Sequence, residues 1–75
     1  MNIQSSFVRD VNTHTVFRIL RNRRLISRSE LARASSLSYP TVSAIVKILS
    51  EEGFIREAHF GSYSGGRKPR LIQFL

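Results

Sequence analysis

Cysteine is absent from this 75-residue sequence. That excludes a disulfide framework and any thiolate metal site. Tryptophan is also missing, and acid is scarce: five Asp and Glu stand against 12 Lys and Arg, for a net charge of +7. No apolar run approaches the ~20 residues of a membrane span, and the N-terminus lacks the apolar segment of a signal peptide. The expectation is a soluble cytoplasmic chain with no membrane partner. A chain this short forms one small domain and buries only ~60% of its unfolded surface, which leaves no room for a separate catalytic domain.

Catalytic groups are equally thin. His14 and His59 are far apart in sequence and lack metal-ligand spacing with each other or with a carboxylate. Gly65-Gly66 is no phosphate loop, because no Gly-Lys-Ser/Thr follows. No enzyme activity, cofactor or metal is expected.

What is present is organised around Leu31 to Gly53. Ser27 is a good helix N-cap, and Glu30, three residues on, completes a capping box. A brief helix follows, with Leu31 and Ala32 inward, and Ser36-Leu37-Ser38 makes a turn. Ser38 caps a second helix, and Pro40 lies in its first turn, where a missing N–H does no harm. Val42, Ile45, Val46 and Leu49 recur as one buried stripe. Gly53 suits the left-handed position that closes a helix. Two short helices joined by so tight a turn form a helix-turn-helix. Pro40, Ser43, Ala44 and Lys47 point away from the buried stripe, flanked by Tyr39 and Thr41. Such a slim, polar or singly cationic face suits a major groove, with Ser43 and Ala44 expected nearest the base edges.

The charge distribution agrees. Residues 1–25 carry a net +4, residues 26–52 balance at zero and residues 53–75 carry +3. A near-neutral reading helix between cationic flanks fits a polyanion gripped at its backbone and read at its base edges. Arg28, in the first turn of the leading helix, is expected on a phosphate.

Ahead of the pair, Phe7 to Arg23 is helical in period, with Val8, Val11, Thr15, Val16, Ile19 and Leu20 on one face. Met1 to Ser6 gives no strong signal and is expected to fray. Asn12 either caps a shorter helix or sits inside a longer one. Leu25-Ile26 is a short extended link and a candidate rung of a small sheet. After Gly53, Phe54 to Phe60 and Arg70 to Leu75 read as strands around a turn-rich loop. The fold class is mainly α with a small β-hairpin wing: a winged helix-turn-helix of three helices and a two- or three-stranded sheet. At the wing tip, Gly65-Gly66 precede Arg67, Lys68 and Pro69, a cationic tip suited to a phosphate backbone or a narrow minor groove.

SRSELARASSLSYPTVSAIVKILSEEGFIRE followed by GGRKPRL resembles the N-terminal domain of ROK-family transcriptional regulators, which join a winged helix to a sugar-kinase-like domain. The resemblance spans about Val8 to Leu75. Its pieces, in order, include Asn12 ahead of Val16, Glu30-Leu31-Ala32, Thr41-Val42-Ser43, Glu52-Gly53, and Gly66-Arg67 with Pro69. It implies a repressor of carbohydrate-related genes, bound to double-stranded operator DNA as a homodimer, with Arg67 entering the minor groove. Ser36 stands where the family usually has glycine. Ala44 stands where relatives often have a basic residue, which favours methyl contact or readout by neighbouring residues over a bidentate guanine contact. Residues 1–75 correspond to the DNA-binding domain alone. The family's sugar-sensing domain, with its effector and zinc sites, finds no match in them. The competing class is a winged-helix protein-interaction module. That would want an apolar exposed face on the second helix.

Overall fold

A computed structural model describes residues 3–59 and 70–75, with side chains placed from Val8 to Ala58 and from Arg70 onward. The described residues form α1 (Ile3–Arg23), β1 (Leu25–Ser27), α2 (Arg28–Ser35), α3 (Tyr39–Glu51), β2 (Ile55–His59) and β3 (Arg70–Phe74). The strands make one antiparallel sheet in the order β1-β3-β2. Three helices and a three-stranded sheet are the winged helix-turn-helix anticipated above. The link at Leu25-Ile26 is a full strand, paired to β3 through Leu25↔Gln73, Ile26↔Ile72 and Ser27↔Leu71.

Local chemistry sets most of the element ends. Ser27 caps α2: its side chain accepts from the Glu30 N–H, and the Glu30 carboxylate accepts from the Ser27 N–H at 3.2 Å. That backbone N–H, then the Ser27 hydroxyl, holds the Glu30 carboxyl below its ordinary pKa. The cap therefore contributes fully above the usual carboxylate range and weakens as the pH falls through the lowered value. α2 closes on Ser36, which is left-handed at φ 61°. The Leu37 N–H donates to the Ala32 carbonyl and the Ser36 N–H to the Arg33 carbonyl, the paired bonds of a Schellman motif. α3 closes the same way, with Gly53 at φ 85° and N–H groups of Phe54 and Gly53 donating to the carbonyls of Leu49 and Ser50. A Cβ at Gly53 would meet nothing within 4 Å, so the backbone angle, not space, requires glycine there.

Serine at Ser36 keeps the turn geometry at an energetic cost, since an L side chain in the left-handed region is strained. Ser36→Gly should relieve more strain than it adds unfolded-chain entropy, a net gain of about 0.5 kcal/mol, or roughly 2–4 °C in Tm. Thermal unfolding by circular dichroism checks this. A lower Tm would mean that the Ser36 side chain supports the turn in its own right.

The core comprises Val16, Leu20, Ile26, Leu31, Val42, Ile45, Val46, Leu49, Ile55 and Ile72, with Phe17, Ile19, Ala32, Leu37 and Phe74 packed against it. The full α3 stripe is buried as its spacing requires. α1 departs from expectation in two ways. It starts at Ile3, within the stretch expected to fray, and so places Asn12 inside a longer helix, one of the two readings its sequence allows. Among its described side chains the inward face lies in the C-terminal half: Val8 is 53% and Val11 46% exposed, because β1, α2 and α3 meet α1 around Val16 and Leu20. Phe17 has an unforeseen role. Its ring packs edge-on against Phe54 at 5.2 Å and Phe74 at 5.5 Å, tying α1 to both sides of the hairpin base.

Candidate nucleic-acid interface

α3 is set in place by its buried stripe and opened to solvent on the opposite side. Ser38 Oγ accepts from the Thr41 N–H at 3.3 Å and donates to Thr41 Oγ1 at 2.9 Å. The two hydroxyls thus shape the start of α3, and the Thr41 hydroxyl keeps its own proton for a further acceptor. No acid lies in the first turn, so the positive end of the helix is uncompensated there, which favours a nearby anion.

Ser38, Tyr39, Pro40, Ala44 and Lys47 are exposed, whereas Thr41 and Ser43 are half-buried. The outward ridge is therefore Pro40, Ala44 and Lys47. Ser43 lies at its margin, not at its centre beside Ala44 as its small size suggested. Ile48, 41% exposed, forms the other margin. The polar pattern of the exposed face does not mark it. Its position one turn after Ala44 was the available signal.

Arg28 sits where α2 begins, as expected, but its guanidinium is engaged: it donates to the Glu57 carboxylate on β2 and forms an ion pair with it. Arg70, on β3, lies 3.9 Å from the other Glu57 oxygen. The Arg28 side chain is 20% exposed and that of Arg70 66%. Strand alternation offered a hint. Glu57 is two residues from buried Ile55 and so shares its face of the sheet, but it lies at the exposed end of that face, its side chain 37% exposed. Of the other cations, Arg56 donates through Nε to Gln73 at 2.9 Å, and Arg24 lies over the Phe74 ring at 5.5 Å. Arg67 and Lys68 lie outside the described residues, in the segment joining His59 of β2 to Arg70 of β3.

A compact helix-turn-helix with one open helix face, followed by a β-hairpin, defines a class. Residues 10–56 match the winged helix-turn-helix DNA-binding family, and the chain belongs to that family. The relatives narrow it further. The chain is 33% identical to the xylose repressor of Bacillus subtilis (strain 168) over 69 residues, and 29% identical to that of Caldicellulosiruptor bescii over 68 residues. These alignments take in 92% and 91% of this chain but 18% and 17% of the relatives. The chain therefore spans less than a fifth of their length. Xylose repressors as relatives agree with the resemblance to ROK-family regulators.

Proposed function

We propose that residues 1–75 are the operator-reading domain of a cytoplasmic repressor of carbohydrate-related genes, acting by binding and not by catalysis. The observation that carries this is the uncluttered outward ridge of α3, Pro40, Ala44 and Lys47, in a family built to bind duplex DNA. Ala44 would lie closest to the base edges and make apolar contact with a thymine methyl, and Lys47 would accompany it. Ser38, Tyr39, Thr41 and Ser43 would sit at the groove's edges. Two chains would occupy paired half-sites, as dimeric helix-turn-helix proteins do. Selection from a pool of random duplexes, repeated at several salt concentrations, tests the reading. It should return one motif, with affinity falling as salt rises. Enrichment of no motif would sink it.

The wing supplies a second grip. Arg67, after two glycines and two residues before Pro69, is proposed to enter an A·T-rich minor groove, with Lys68 on a phosphate. The narrow groove has an enhanced negative potential, and a guanidinium sheds water more readily than an ammonium. Arg67→Lys should cost affinity although charge is kept, while Lys68→Arg is nearly neutral. The loss should shrink when G·C pairs replace A·T pairs flanking the motif, because the guanine amino group obstructs the groove. Fluorescence anisotropy on two operators differing only in these flanks makes the comparison. Equal losses on both would make Arg67 a phosphate contact only.

A further inference from the structure

Glu57 is the only acid after Gly53, in a segment with four Lys and Arg. It stands opposite Ile72 in the sheet register, where the apolar lining contributed by Ile55, Ile26 and Ile72 gives way to charge. Its carboxylate meets Arg28 from the start of α2 and Arg70 from the strand that leaves the wing. Both arginines belong to segments that a bound duplex would pass: the leading helix of the helix-turn-helix and the base of the wing.

We propose that Glu57 is an internal stand-in for a DNA phosphate, occupying Arg28 and Arg70 in the free protein and so holding down sequence-independent binding. The proposal rests on the reading that duplex DNA is the partner. A carboxylate and a phosphate present a guanidinium with the same kind of oxygen acceptors. An arginine already bonded to a carboxylate adds little when a phosphate arrives, because its charge is neutralised beforehand and fewer counterions leave the DNA. Arg28 is the more completely held of the two, being the less exposed. Glu57 is thus a positioning residue that works through the two arginines, and the electrostatic grip of the domain is weaker than its formal charge suggests.

Glu57→Gln removes the charge and keeps the shape and an acceptor oxygen. Asp10→Asn, on α1, makes the same change in net charge away from the arginine pair and serves as the control. Each variant is titrated with a random-sequence duplex over a range of salt and eluted from immobilised heparin, a polyanion with no bases. Glu57→Gln should bind the duplex several-fold more tightly than Asp10→Asn, steepen the salt slope by about one further phosphate, and elute later from heparin. Arg28→Ala should change the slope little in the wild-type background and by about 1 in the Glu57→Gln background. Thermal unfolding of each variant reports the structural share of the ion pair, which does not alter a salt slope. Slopes and elution equal for Glu57→Gln and Asp10→Asn would overturn the proposal, as would weaker binding by Glu57→Gln. Absence of salt-dependent duplex binding by the wild-type chain would reject DNA as the partner, and the heparin comparison would still decide the role of Glu57.

Discussion

Ala44→Glu should abolish specific binding and leave the fold unchanged. Ala44 is exposed on the outward ridge of α3, one turn after Pro40 and three residues before Lys47. Glutamate is a good helix former, and at this spacing it gains slight support from Lys47. Stability should therefore stay within ~0.5 kcal/mol of the wild type. In a major groove, the same carboxylate would meet base acceptors and two phosphate backbones. The expected loss on the selected operator is at least about 100-fold, or ~2.7 kcal/mol. Ser43 is a less clean position, because it is half-buried and a bulky side chain there would press on the scaffold. Circular dichroism and anisotropy on the same sample separate the two effects. Undiminished affinity would show that this ridge is not the reading face.

Leu31→Ala has the largest expected effect on stability. Leu31 is fully buried, the α2 residue at the centre of the core. Truncation loses the transfer free energy of the side chain and leaves a cavity, for a cost of about 2–5 kcal/mol. A domain of this size holds roughly 4–11 kcal/mol in total. The variant should therefore lie near or past its unfolding midpoint well below the wild-type urea concentration. Binding should fall with the folded fraction and recover with an excess of operator, since DNA that binds only the folded state stabilises it. A midpoint like that of the wild type would mean that α2 is not needed to close the core.

The parts of this molecule that were readable in advance are governed by short-range chemistry. The Ser27 to Glu30 capping box, the Ser38 cap with Pro40 behind it, the α3 stripe and the Gly53 terminus each depend on residues within one or two helical turns. All four took the expected form, and together they define the helix-turn-helix. What was hidden depends on partners distant in sequence. Val8 and Val11 continue the apolar period of α1, but periodicity cannot say whether anything lies over them, and both are exposed. The Leu25–Ser27 strand was legible as a candidate rung of a sheet, but not its partner, which is β3, far along the chain. Arg28 looked like a free cation at a helix start, yet its carboxylate partner is 29 residues away. The wing tip, with Arg67 and Lys68, is read from its glycines, cations and proline and from the resemblance to ROK-family regulators.

Whether α3 reads the major groove while cationic flanks hold the backbone is decided by chemical interference on the selected operator. Methylation at guanine N7 marks the major groove, methylation at adenine N3 the minor groove, and ethylation marks phosphates. The expected pattern is a short central block of major-groove interference, phosphate interference on both sides of it, and adenine N3 interference at the A·T flanks. Interference from phosphate ethylation alone, with methylated bases bound as well as unmodified ones, would contradict it.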